Sequence, residues 1–273
     1  MPNFVWLALG GALALFLGML LFFELGRRLG LRQAQKLGAA ARAGIGGIDS
    51  AVYALLALLL GFAFSGAASR FDHRKELISK EVNAMSTAWL RVASLPADKQ
   101  AGVRADFRRY MDGVIASYKS SAGSPSETQA RAATDRAQND LWSRSMAASL
   151  GSPEGEKARM LLLPSLNEMF DLVDEERLVR RIHPPPIIYI MLALSAFAAA
   201  LFGGYGMAIA EKRNWLVIVG VSATISLTAF LVLELETPRL GFVQVRDFDR
   251  ALVELRETMN DAVTSARRPP NAG

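Results

Sequence analysis

From Ser50 to Ser69 the chain carries no charged side chain, and then it turns abruptly basic. Leu58-Leu59-Leu60-Gly61-Phe62-Ala63-Phe64-Ser65-Gly66-Ala67-Ala68-Ser69 runs straight into Arg70-Phe71, with Arg74 and Lys75 close behind. A helix needs about 20 residues to cross a hydrocarbon core of ~30 Å. No water inside that core satisfies backbone groups, so a stretch of this length and polarity must be helical there. Three more apolar runs of similar length lie at about 4–23, 186–210 and 215–233. Four transmembrane helices follow.

Composition agrees with that segregation. The chain is 51% hydrophobic yet 21% charged over 273 residues, with a mean hydropathy of +0.21. That is too apolar for an ordinary soluble protein. The first run is longer than a secretory leader's apolar core, and Met1 to Trp6 carries no charged side chain, so it reads as a retained helix. There is no cysteine, which excludes disulfides, thiolate chemistry and cysteine-ligated zinc. The net charge of +5 suits anionic lipid headgroups. No nucleic-acid-binding motif is present.

The expected order is helix pair, soluble insert, helix pair and tail. The boundaries are 1–69 for transmembrane helices 1 and 2, 70–183 for the insert, 184–236 for helices 3 and 4, and 237–273 for a C-terminal amphipathic helix and tail. The insert is nearly charge-balanced, with 18 basic and 16 acidic residues. Stretches at 70–93, 98–119 and 126–148 place apolar residues at helical spacing, as in Val103, Phe107, Tyr110, Val114 and Tyr118. Leu95-Pro96, Ser121 to Pro125 and Gly151 to Gly155 separate them, with Asp98 and Ser126 as expected caps. A fourth helix over 154–182 ends before His183-Pro184-Pro185-Pro186. Asp249 to Ala266 reads as an amphipathic helix, with Asp247 and Asp249 at its start.

Pumps and ion-coupled carriers place ionisable groups near the bilayer midplane. None lies in these four cores: Glu24, Asp49, Glu211, Glu234 and Glu236 all sit at predicted ends. Matching breaks in two halves would mark a carrier, and Gly203-Gly204 is the sole candidate. Trp89 and Trp142 read as core or subunit-interface aromatics. His73 reads as a surface residue and His183 as a helix-end residue, and Glu76 with Lys80 as a solvated pair. No nucleophile, base and orienting group converge, so no catalytic residue, metal or cofactor is expected, and the chain does not read as an enzyme.

On the second helix Ala54, Leu58 and Phe62 recur every four residues, and Ser65 and Ser69 continue roughly the same face. That pattern fits a narrow apolar neck, which gates by dewetting, opening into a polar vestibule. More often such a stripe packs against another helix, with Gly and Ala permitting close approach. Two functions therefore stand at this point: an oligomeric ion pore, or a membrane-anchored helical sensor or scaffold without one.

Four motifs in order resemble the bestrophin family. Gly61-Phe62 followed by Arg70-Phe71 has the spacing of the family's neck Gly-Phe and its downstream Arg-aromatic pair. Leu166-Asn167-Glu168-Met169 resembles the helix that leads back to the membrane, Pro186-Ile187-Ile188-Tyr189 the start of the third helix, and Glu234 to Gly241 the Glu-x-x-x-Pro exit. The resemblance covers about 50–250 and points to the poorly characterised bacterial bestrophin-like proteins rather than to vertebrate members. It implies an all-α membrane protein, four transmembrane helices with a helical soluble insert between helices 2 and 3. It also implies a pentamer passively conducting ions through an axial pore in an inner membrane. Ala54, Leu58 and Phe62 would then form the neck, Ser65 and Ser69 the vestibule, and Met160 the cytosolic aperture. Ala54 is smaller than the family's residue there, and Leu55 is the nearest substitute. Arg239-Leu240-Gly241 stands where animal members carry an acidic calcium clasp, so calcium activation is not expected. Partners would be permeant ions, anion or cation, membrane lipids and further copies of the chain. Charge at the membrane ends divides: Arg27, Arg28, Arg32, Lys36 and Arg42 put the first loop in the cytoplasm by the positive-inside rule. Arg70, Arg74, Lys75, Arg177, Arg180, Arg181 and Arg239 oppose it, and the resemblance places the insert in the cytoplasm.

Overall fold

The computed structural model describes residues 2–34, 39–120, 123–180, 182, 184–208, 214–236 and 246–266, without the side chains of 2–4, 34, 39–49, 246–249 and 261–266. The elements are α1 (Pro2–Ala34), α2 (Ala39–Arg91), a 3-10 turn (Val92–Ser94), α3 (Ala97–Lys119) and α4 (Pro125–Ala148). They continue with α5 (Pro153–Val179), α6 (Pro186–Met207), α7 (Trp215–Glu236) and α8 (Arg246–Ala266). No strand occurs among the described residues. Four helices, spanning Val5–Gln33, Ser50–Ser94, Pro186–Met207 and Trp215–Glu236, are long and apolar enough to cross a membrane. The chain is thus an all-helical membrane protein with a helical insert between the second and third spans.

Two expected boundaries differ. α2 is a single helix of 53 residues where the change from apolar to basic suggests two. Nothing between Ser50 and Arg91 removes a backbone donor, and a switch of side-chain solvent does not interrupt the i to i−4 ladder. α1 likewise continues past its apolar run, taking Arg27, Arg28 and Arg32 onto its last turns.

The chain forms two compact units, one of Met1–Asp72 with His183–Gln244 and one of His73–Ile182 with Val245–Gly273. In the first, α1 packs along α6 and α7, and Met19, Phe23, Leu56, Leu60, Ala196 and Ala199 share its core. Glycine permits the contact. A β-carbon at Gly26 would fall on the Leu201 carbonyl oxygen, and one at Gly204 on the Phe23 carbonyl oxygen. Phe22 and Phe197 stack beside them at 4.9 Å. α6 and α7 are 22 residues each.

In the second unit the row Val103, Phe107, Tyr110, Val114 and Tyr118 is buried as its spacing implies, against Leu162, Leu166, Met169 and Phe170 of α5. α8 joins this unit through buried Leu252 and Met259, and Arg256 grips Asp112 at 2.8 and 3.0 Å. The helix starts are set differently from expectation. Ser124, not Ser126, caps α4, accepting from the Glu127 amide at 3.1 Å. Pro125 at the first helical position favours the residue before it as the cap. Ser152 and Pro153 repeat the arrangement at α5. α3 has no side-chain cap, and Asp98 lies within its first turn, where it meets the positive end of the helix dipole.

Candidate functional site

Within the first unit α2 buries Leu56, Leu60 and Ala67 and leaves Ala54, Leu58, Phe62, Ser65 and Ser69 exposed. Leu58 is 53% and Phe62 67% exposed. Spacing of three or four residues keeps these five along one strip of the helix. The strip is graded, aliphatic then aromatic then hydroxyl, and carries no fixed charge. Gly61 lies beside Phe62 in open space, where a β-carbon would meet nothing within 4 Å. Leu55 and Phe64 are also exposed, at 55% and 42%, so exposure reaches round the helix and the strip is distinguished by its chemistry.

At the end of that strip the structure joins two motifs that the sequence presents separately. Arg70 donates through Nε to Glu236 Oε1 at 2.9 Å, and through Nη2 to the same oxygen. Glu236 is 3% exposed and Glu234 is fully buried. A carboxylate at the C-terminal end of α7 faces the negative pole of its own helix, so the guanidinium supplied by α2 compensates it. Tyr189 of α6 lies close enough to feel both charges. Pro238 and Arg239-Leu240-Gly241 lie outside the described residues, as do His183, Arg181, Lys36, Glu211 and the tail 267–273. The side chains of Asp49, Arg42, Asp247 and Asp249 are outside them too. No group of acidic residues and histidines able to hold a metal ion occurs among the described residues.

Met160, on the second unit, is 77% exposed on α5. It lines an open groove of about 600 Å³ with Trp142, Glu156, Arg159, Pro164 and Asn167. A second groove of about 630 Å³ lies between α2 and α5, lined by Lys80, Asn83, Thr87, Glu168, Asp171 and Glu175. Sequence reasoning left these groove charges unplaced. Their signal was the exposed row on α5, visible only once the buried row of that helix is known. Trp89 is buried, and Trp142 packs on Phe170 at 6.4 Å. His73 is exposed, and Glu76 pairs with Lys80 at 2.8 Å in solvent.

A family model described as a Bestrophin-like domain matches residues 34–248. Among solved structures the chain is similar to crystal structures of a bacterial bestrophin homologue from Klebsiella pneumoniae. One single-residue variant is 16% identical with a TM-score of 0.66, covering 90% of this chain and 99% of the other. A second variant is 17% identical with the same TM-score, covering 91% and 98%. At these identities the likeness is one of fold. No curated protein sequence matches the chain.

Proposed function

Because the chain belongs to the bestrophin-like family, we propose that it is the subunit of a homo-oligomeric ion channel, a pentamer in which five copies of α2 surround a central pore. The observation that carries this is the unpartnered strip Ala54, Leu58, Phe62, Ser65, Ser69 on a membrane-length helix. Cyclic symmetry is how identical helices come to share one axis. In that ring Ala54, Leu58 and Phe62 form an apolar neck that conducts when wet and blocks when it dewets. Ser65 and Ser69 line the vestibule, and Met160 narrows the path through the soluble part. The protein acts by passive conduction rather than catalysis, as a multi-pass inner-membrane protein with its insert in the cytoplasm. An apolar neck contributes no fixed charge, so selectivity lies with charges elsewhere along the path, such as those of the α2–α5 groove.

The test is planar-bilayer current from the purified protein and from Phe62→Ala in asymmetric KCl, with native mass measurement confirming that both assemble alike. Wild-type current that Phe62→Ala raises or renders leaky is expected, and the reversal potential reports the preferred ion. A monomer, or a pentamer whose current is indifferent to Phe62, overturns the pore and leaves a membrane-anchored scaffold.

A further inference from the structure

The second unit carries a group of guanidinium side chains that the pore reading does not use. Arg104 and Arg108 lie one turn apart on α3, and both lean on the ring of Trp89, their Cζ atoms 4.9 and 5.8 Å from its centroid. That ring is itself fixed, 7% exposed and edge-on to Phe107 at 5.5 Å. Several arginines of this unit are matched by acids, while Arg91 and Arg136 donate to backbone carbonyls instead. Arg109 and Arg144 share Asp106, Arg177 has Asp135 and Asp174, and Arg256 takes both oxygens of Asp112. Arg104 and Arg108 have no carboxylate partner among the described residues, and Nη1 of Arg108 is buried without a hydrogen-bond acceptor.

The electrostatics around Arg108 are those of excess positive charge. Burial first, then repulsion from Arg256 and Arg104, holds the Arg108 pKa below the usual guanidinium value, and Asp112 offsets this only in part. The ring holds both cations by cation–π attraction, which uses none of their N–H groups. The N–H groups of Arg104, and those of Arg108 other than the buried Nη1, stay available in the planar fork that matches an oxyanion. A donor already stripped of water gains most from an acceptor, because its desolvation has been incurred in folding.

We propose that Arg104 and Arg108, held on Trp89, form a binding site for a phosphate group on the soluble unit. Two forks offer more donors than a single carboxylate or chloride can use. A phosphate presents enough oxygens, and enough charge, to answer both guanidiniums. The phosphate of a free anion and that of a lipid headgroup share this chemistry.

The experiment uses the full chain, purified in phosphate-free detergent, titrated with inorganic phosphate by calorimetry. In parallel it is placed in nanodiscs of phosphatidylglycerol or phosphatidylcholine and its retained lipid counted by native mass measurement. Saturable phosphate binding in detergent identifies a soluble ligand, and selective retention of phosphatidylglycerol alone identifies a headgroup. In the arm that binds, Arg108→Gln and Arg104→Gln should each weaken binding about tenfold or more, as expected for loss of a charge-assisted fork. Arg108→Lys should fail to restore it, and Arg109→Gln should leave it unchanged. Arg104 makes no hydrogen bond among the described residues, so Arg104→Gln keeps the test intact if Arg108→Gln does not fold. No binding in either arm, or binding indifferent to both substitutions, overturns the site. Bilayer current measured without phosphate is independent of all these outcomes, so this site and the pore fail or survive separately.

Discussion

In the unit built on α3, α4, α5 and α8, the largest apolar side chains are inside: Phe107, Tyr110, Met111, Leu162 and Leu166 are all fully buried. In the unit built on α1, α6 and α7 the order is turned outward. Leu13, Leu17, Leu21, Leu25 and Leu29 form an exposed row on α1, and Leu216 of α7 is 84% exposed, while Ser222, Glu234, Gly203 and Gly204 are buried. Burial is driven by water, so it sorts side chains by polarity only where water is the alternative. Against hydrocarbon, a leucine gains nothing by leaving the lipid. What the interior selects is small size, which lets backbones touch, and polarity, which lipid cannot satisfy. The two units therefore respond to different substitutions.

The largest effect belongs to the water-sorted core. Phe107→Ala removes a ring packed edge-on to Trp89, and should cost about 4 kcal/mol. Thermal unfolding followed in detergent should show a large loss, and a variant as stable as wild type would mean this core is not closed. Next is the lipid-sorted contact, where bulk and not hydrophobicity is the variable. Gly204→Val drives a side chain into the Phe23 backbone and should cost about 3 kcal/mol. Gly61→Ala, with open space around it, should be tolerated. If Gly204→Val is silent while Phe107→Ala is not, the contrast between the units has been misread. Arg70→Gln takes the cation from buried Glu236. Since the Arg70 side chain is 35% exposed, water softens the loss to about 2 kcal/mol, below that of a fully enclosed pair. A matching Glu236→Gln should recover part of it in a double-mutant cycle.

The smallest effect sharpens the comparison most. Burial pushes the Tyr110 phenol well above its ordinary value, and the nearby Glu81 carboxylate adds to the shift. The hydroxyl is buried with no hydrogen-bond acceptor among the described residues. A raised folded-state pKa means the contribution is fully present below the unfolded value of about 10 and is lost as pH climbs above it. Tyr110→Phe should leave stability at neutral pH within about 0.5 kcal/mol of wild type, or above it. It should also flatten the decline in stability expected of the wild type as pH climbs above about 10. An unchanged alkaline limb would assign that decline to other groups.

Much of this was legible before any coordinates. The four apolar runs, the breaker at Leu95-Pro96 and the helical row from Val103 to Tyr118 each follow from a local rule and stand in the structure, whereas the break expected over Gly151 to Gly155 ends at Ser152, since Pro153 opens α5 and Gly155 lies inside it. What was not legible depended on other parts of the chain. The length of α2 was hidden because composition changes at Arg70 while the backbone does not. Ser124 and Ser126 are chemically alike, and only the consequence of Pro125 separates them. The pairing of Arg70 with Glu236 joins residues 166 apart, which no periodicity encodes. For the candidate pore, spacing selected the strip from Ala54 to Ser69. What faces that strip lies beyond one chain's own pattern, because a periodic face is the same whether water, lipid or a second copy meets it.

The equal lengths of α6 and α7 have a mechanical consequence. Each 22-residue helix spans about 33 Å at ~1.5 Å per residue, against a hydrocarbon thickness of ~30 Å. Two helices of one length act as a matched gauge: a bilayer a few Å thinner leaves about the same length of each outside the hydrocarbon. Tilting, or local thickening of the lipid, then costs a fraction of a kcal/mol per Å. Because the strain has the same sign on both helices, it does not cancel between them, and acyl-chain length becomes a load that this unit carries as a whole.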